Sequence, residues 1–218
     1  MAANEVLILV NGEWGSTARL TGLADRVDRV IATDGAWAKA DAAGIHVDCV
    51  VGDLDSLSPE QRAALFESDV EVQIHPREKD FTDLELAVDC ALELSARRLV
   101  LFGAFGGRID HTLANLLMLE KAVARGVEVE LIVGEETAWL IQGELALPGG
   151  QKGDRVSLIP LSGTVVLRTD GLRYRLNDEP LVRASAHGVS NVIECLPVRI
   201  AVRSGTLLVV HGPQEEAP

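Results

Sequence analysis

The sequence predicts an α/β N-terminal domain with a doubly wound, mostly parallel sheet, followed by a smaller all-β C-terminal sandwich domain. Three observations predict it. Up to about residue 146, short apolar runs without alternation are separated by amphipathic stretches, the pattern of strands covered on both faces by helices. Acidic residues stand at the ends of successive runs, where a doubly wound sheet opens its ligand crevice. Beyond Leu147-Pro148-Gly149-Gly150 helical periodicity stops and short β-prone runs take over. The expected domains are therefore 1–146 and 147–218.

In order, Val6-Leu7-Ile8-Leu9-Val10 is the first strand, ending in Asn11-Gly12. Arg29-Val30-Ile31-Ala32-Thr33 is the second, ending in Asp34-Gly35, and Ala36 to Ala43 reads as a helix stopped by Gly44. Asp48-Cys49-Val50-Val51 is the third, followed by Gly52-Asp53-Leu54-Asp55-Ser56. Ser58-Pro59-Glu60-Gln61 supplies an N-cap, an N1 proline and a capping-box glutamine for the next helix. Val70 to Ile74 alternates as a fourth strand. Thr82-Asp83-Leu84-Glu85 opens a helix burying Leu84, Ala87, Val88, Ala91 and Leu94. Leu99 to Phe102 is the fifth strand and runs into Gly106-Gly107-Arg108-Ile109-Asp110-His111. The helix after it is expected to bury Leu113, Leu116 and Leu117, and Val127 to Val133 is a sixth strand. In the C-terminal part, 156–159, 164–167, 198–202 and 207–210 are the β-prone runs.

The 218 residues, 47% of them hydrophobic, suffice for a sizeable core. A net charge of −13 without a dense Lys/Arg patch excludes a general nucleic-acid or anionic-membrane surface. No apolar run reaches the roughly 18 residues of a membrane span, and Met1 to Glu5 lacks a leader pattern, so a cytoplasmic location is expected. Cys49, Cys90 and Cys195 are far apart, lack CxxC spacing and read as buried free thiols.

The chemistry lies in the acids. Asp34, Asp53, Asp55, Asp80, Asp83 and Asp110 all follow strand ends, and if those strands are parallel neighbours the carboxylates converge. Asp53 and Asp55, at i and i+2 on an extended backbone, point the same way. Their mutual repulsion calls for a cation, and an all-oxygen set without a His or Cys cluster suits a hard ion such as Mg²⁺ that bridges to phosphates. Arg77, Lys79 and Arg108 stand among the acids, and Gly106-Gly107 before a helix start can admit a phosphate group. Neither GxxxxGK[ST] nor GxGxxG is present. Each feature alone also has a plainer reading as a cap or solvated turn. The residues by themselves leave a metal–phosphate site and a set of solvated caps as alternatives.

Asp34-Gly35-Ala36, Gly52-Asp53-Leu54-Asp55-Ser56, Lys79-Asp80-Phe81-Thr82-Asp83, Gly106-Gly107-Arg108-Ile109-Asp110-His111 and Ser190-Asn191, in this order, resemble the thiamine pyrophosphokinase pattern. The resemblance covers nearly the whole chain. It implies transfer of the pyrophosphoryl group of ATP to the hydroxyl of thiamine, giving thiamine diphosphate and AMP. It also implies Mg²⁺ as cofactor and a homodimer with active sites at the interface. Asp53, Asp55, Asp83 and Asp110 would be metal ligands and, with Arg108, catalytic. Lys79, Asp80, Thr82, Gly106, Gly107, Arg108 and His111 would contact ATP, and Asp34, Ser190 and Asn191 the substrate. The family commonly has a second glycine where Ala36 stands and a glutamate where Val192 stands. Alternatives on the same residues are a hydroxymethylpterin diphosphokinase and a non-catalytic thiamine or nucleotide sensor.

Overall fold

An apolar run without alternation leaves a strand no solvent face, and the runs of the N-terminal part become strands of a parallel sheet. The computed structural model describes residues 4–76 and 81–214. By packing it falls into two units, one running to Met118 and including Leu131–Gly134, the other holding Leu119–Glu130 and the chain from Glu135.

The first unit contains β1 (Glu5–Leu9), α1 (Ala18–Ala24), β2 (Arg29–Thr33), α2 (Asp34–Ala42), β3 (Cys49–Gly52), α3 (Pro59–Glu67), β4 (Glu71–Ile74), α4 (Asp83–Glu93), β5 (Arg98–Phe102) and α5 (Ile109–Met118). Neighbouring strands in the order β5-β1-β2-β3-β4 all pair in parallel. The order reverses between β1 and β5, the position at which an open α/β sheet forms its ligand crevice. One core packs Leu7, Leu9, Val30, Ala32, Val50 and Phe102 against Trp14, Trp37, Leu54 and Leu65. Trp14 meets Phe102 edge to face, with centroids 5.5 Å apart.

Local signals fix the helix starts. Ser58 and Gln61 form the reciprocal capping box expected of them, with Pro59 at N1. Thr82 Oγ1 accepts the Glu85 N–H at 3.2 Å at the head of α4. α2 begins earlier than expected, at Asp34, and Ala36 is fully buried within it. Two helix faces differ from expectation. Leu94, at the C-cap of α4, is exposed, and on α5 Leu113 and Leu117 point outward with Ile109 while Asn115 is the buried residue. Hydrophobic residues spaced i, i+4, i+8 define a stripe, but the spacing does not say which side of the helix meets the core.

The remaining elements are α6 (Glu120–Val123), β6 (Glu128–Val133), β7 (Glu136–Ile141), β8 (Glu144–Ala146), β9 (Arg155–Pro160), β10 (Thr164–Asp170), β11 (Asn177–Val182), β12 (Asn191–Val192), β13 (Arg199–Ser204) and β14 (Leu207–Gly212). β6 is shared between the units, and its Leu131–Val133 half lies beside β5 in the first. In the second unit β14 pairs antiparallel with β7 and β9, and β12 with β9. A second antiparallel sheet runs β11-β10-β13-β8. Trp139, Val156, Leu158 and Val209 of one sheet share a core with Val165, Leu167, Leu181, Ile200 and Val202 of the other, which is the expected sandwich. β7 and β8 precede residue 147 and group by packing with this unit. Cys49 and Cys90 are buried free thiols, as expected, whereas Cys195, expected to be buried, is exposed.

Candidate active site

The loops after β1 and β5 run side by side at the reversal of strand order. Val10 N–H donates to Phe102 O, Gly12 N–H to Gly103 O and Glu13 N–H to Phe105 O, at 2.9–3.0 Å. The approach is close enough that a Cβ on Gly12 would lie 2.3 Å from Gly103 O, so only glycine fits there. Together with the ends of β2 and β3 and the start of α4, these loops enclose a cleft of about 410 Å³. Asn11, Thr33, Asp34, Asp53, Ser56, Thr82, Asp83, Gly106, Arg108, His111 and Asn115 are among the residues lining it.

The acids meet through a turn. Leu54 takes a left-handed φ of 62°, and Asp55 N–H donates back to Asp53 Oδ1 at 3.0 Å. This corrects the expectation of an extended backbone: it is the reversal at Leu54 that brings Asp53 and Asp55 together. The Leu54 side chain is buried in the core, and Arg62 donates to its carbonyl, so the turn is held from both sides. One carboxylate oxygen from each of Asp34, Asp53 and Asp55 lies within 4.8 Å of the other two. Asp34 is 2% exposed and accepts the Gly35 N–H at 2.7 Å and the Ser56 N–H at 3.4 Å. Burial pushes its carboxyl above the usual range, the Gly35 N–H opposes that, and the charges of Asp83 and Asp53 push it further up.

Arg108 donates to both oxygens of Asp110, from Nε at 3.1 Å and Nη2 at 2.5 Å, and the His111 N–H adds a third bond to Asp110 at 3.0 Å. The bidentate guanidinium bond is the main reason that the Asp110 carboxyl is held at about 2. Both partners are exposed; Arg108 and His111 line the cleft, while Asp110 faces Arg108. Gly106, at φ 105°, backs onto Glu13, whose Oε1 accepts the Gly107 N–H at 3.1 Å. Buried Asn115 donates to Ala104 O at 2.8 Å and fixes the same loop from the α5 side.

The structure thus gathers Asp34, Asp53, Thr82, Asp83, Gly106, Arg108 and His111 around one cleft, with Asp55 in the carboxylate cluster at its edge. Lys79 and Asp80, like Arg77, lie outside the described residues. Ser190 and Asn191 belong to the second unit. Ser190 is exposed, at φ 59°, and its N–H donates to Ser157 Oγ at 3.0 Å. Asn191 is buried: its Oδ1 accepts the Tyr174 and Val192 N–H groups and its Nδ2 donates to Tyr174 O. That amide shapes the backbone around Ser190. Sequence reasoning passed over Thr33, Glu13 and Asn115. Thr33 adjoins a flagged aspartate, but nothing in the sequence marks a mid-helix asparagine as buried against a loop.

Comparison with known proteins identifies the family. Residues 20–131 match the family model described as thiamin pyrophosphokinase, catalytic domain, and residues 144–207 the one described as thiamin pyrophosphokinase, vitamin B1 binding domain. A thiamine pyrophosphokinase of Bacillus subtilis is 31% identical over 208 residues, 94% of this chain and 97% of its own length. A crystal structure of thiamine pyrophosphokinase from Bacillus subtilis superposes with a TM-score of 0.86 at 27% identity, covering 97% of this chain and all of that one. The yeast enzyme's structure, at 14% identity and a TM-score of 0.78, covering 97% of this chain and 86% of that one, shares the fold. The chain belongs to the thiamine pyrophosphokinase family.

Proposed function

We propose that the acidic cleft binds ATP with Mg²⁺ and passes the pyrophosphoryl group to the hydroxyethyl oxygen of thiamine, giving thiamine diphosphate and AMP. The observation that carries this reading is the meeting of the Asp34, Asp53 and Asp55 oxygens within 4.8 Å, in a chain of this family. An all-carboxylate set fits a hard divalent ion, and the Asp34 carboxyl, raised first by burial and further by the charges of Asp83 and Asp53, is a group that such an ion would hold ionised. Of the expected metal ligands Asp53, Asp55, Asp83 and Asp110, the first two would hold Mg²⁺ together with Asp34, because those three offer oxygens within 4.8 Å of one another. When bound, the ion neutralises charge on the polyphosphate.

The side chains do the positioning. Arg108, oriented by Asp110, offers parallel N–H donors to phosphate oxygens. The first turns of α4 and α5 present the positive ends of their backbone dipoles, and Gly106-Gly107 keep side chains out of the way. Thr82 and His111 complete the wall, and Lys79 and Asp80 are proposed phosphate contacts from the neighbouring segment. Asp83 and Asp110 then act beside the metal: Asp110 through Arg108, and Asp83 as proton acceptor. As the thiamine oxygen bonds to the β-phosphorus, its proton passes to Asp83 and the bond to AMP breaks with the electron pair leaving on AMP oxygen. No covalent nucleophile is needed.

Residues 1–146 are proposed as the ATP- and metal-binding part and 147–218 as the thiamine-binding part, with Ser190 a direct contact and Asn191 its support. We further propose a homodimer with active sites at the interface. The outward stripe Ile109, Leu113, Leu117, beside Arg108 and Asp110, supports it, because such a row asks for cover. A cytoplasmic location is proposed as well; among the described residues no helix is long and apolar enough to cross a membrane.

The test is direct. The protein is incubated with Mg²⁺ and ATP plus either thiamine or a hydroxymethylpterin, and diphosphate product and AMP are measured. Product from thiamine alone is expected. Product from the pterin alone would replace the substrate, and tight thiamine binding without AMP would leave a sensor.

A further inference from the structure

Thr33 closes β2 and stands at the N-cap of α2 with φ −69° and ψ 158°, the backbone geometry from which a threonine hydroxyl caps a helix. Its hydroxyl makes no such bond. The Gly35 N–H at the head of the helix goes to Asp34 Oδ1 instead. Thr33 is 3% exposed, lines the acidic cleft beside Asp34 and Asp53, and its Oγ1 has no hydrogen-bond partner among the described residues.

A buried hydroxyl without a partner destabilises a fold, and valine would fill the same β-branched space without that penalty. The hydroxyl also supplies what the adjoining carboxylates lack. Ionised carboxylates only accept hydrogen bonds, and the Gly35 and Ser56 N–H groups are already engaged by Asp34. A ligand oxygen drawn in among these acids needs donors, and the buried, unpartnered Thr33 hydroxyl is one beside them, along with the Asn11 amide and the Ser56 hydroxyl of the same lining.

Resting on the metal–phosphate reading of the cleft, we propose that the Thr33 hydroxyl is a ligand-binding residue that donates its hydrogen bond to an oxygen around the cation in the cleft. That oxygen belongs either to a cation-bound water or to a phosphate of the nucleotide, and the two are separable.

Thr33→Val removes the hydroxyl and keeps the shape; Thr33→Ser keeps the hydroxyl. Wild type and both variants are titrated calorimetrically with Mn²⁺ alone, and with α,β-methylene ATP in saturating Mg²⁺, and their melting temperatures are taken in EDTA. Thr33→Val should melt at or above wild type in EDTA and bind roughly five- to tenfold more weakly, with Thr33→Ser restoring affinity to within about twofold. Weakening in the Mn²⁺ arm identifies a bound water, and weakening in the nucleotide arm only, a phosphate oxygen. Wild-type affinity of Thr33→Val in both arms overturns the proposal, whether its melting temperature is unchanged or has fallen. A wild type that binds neither probe overturns the cleft reading, and this proposal with it.

Discussion

Replacing Asp53 by Asn separates the charge of the acidic cluster from its shape. The amide Oδ1 of Asn can still accept the Asp55 N–H that closes the turn at 3.0 Å, so the loop should keep its form. What disappears is one negative charge within 4.8 Å of oxygens on Asp34 and Asp55. Two unit charges at that separation repel by about 1 kcal/mol at a dielectric constant of 80 and by about 3.5 kcal/mol at 20. Asp34 is buried but Asp53 is half-exposed and Asp55 exposed, so the lower figure applies, and the metal-free variant should gain about 1 kcal/mol. For a chain of this size that raises the melting temperature by about 2–4 °C in EDTA. The same change removes charge from the cation site, so Mg²⁺ affinity should fall at least about tenfold and turnover at least about a hundredfold. Thermal unfolding in EDTA and in Mg²⁺ with α,β-methylene ATP, with a parallel assay of thiamine diphosphate formation, reads all three. A variant that melts no higher in EDTA, and shows the wild-type rise with ligand and wild-type turnover, would refute the reasoning.

Arg108→Lys loses the parallel pair of donors; kcat/KM for ATP should fall at least about tenfold, while the melting temperature barely moves because both partners are exposed. Unchanged kinetics would remove Arg108 from phosphate recognition. The Asp110 carboxyl should titrate at about 2 by carbon-13 NMR, because its folded value lies below the ordinary 3.8. With that sign, the contribution of the ion pair to stability is complete above 3.8 and disappears as pH falls through about 2; a midpoint at 3.8 or higher means that the pair does not form. Gly106→Ala puts a Cβ 2.5 Å from Glu13 Cγ at a φ of 105°, and should destabilise by about 1–3 kcal/mol in urea unfolding. A neutral result would show that the Glu13 contact is not tight.

Local chemistry was the legible part of the chain. Ser58, Pro59 and Gln61 interact within one helical turn, so their spacing alone announces the capping box. The parallel strands announce themselves because burial on both faces removes alternation. What the sequence conceals depends on partners far along the chain. β7 is a strand because it pairs with β14, with Thr137 opposite His211, and the boundary between the domains is correspondingly hard to read. α1 is short and contains Thr21 and Gly22, which weaken any helical signal. The aspartates were visible as a group because they follow strand ends. Their division of labour was not, since Asp34 joins Asp53 and Asp55 only through the pairing of β2 with β3, and Asp110 turns to Arg108. Asn191 carries information its motif does not: its amide also bonds the Tyr174 and Val192 backbone, partners remote or unmarked in the sequence.

The left-handed backbone at Leu54 bears on the entropy of ligand capture. A flexible acidic loop would lose conformational freedom when a cation arrived, and that loss would be subtracted from affinity. Here the buried leucine side chain and the Arg62 hydrogen bond hold the reversal by contacts within the chain, so the ordering is completed during folding. A leucine where glycine would be conformationally easier therefore trades some fold stability for a turn that already holds the Asp53 and Asp55 carboxylates close together.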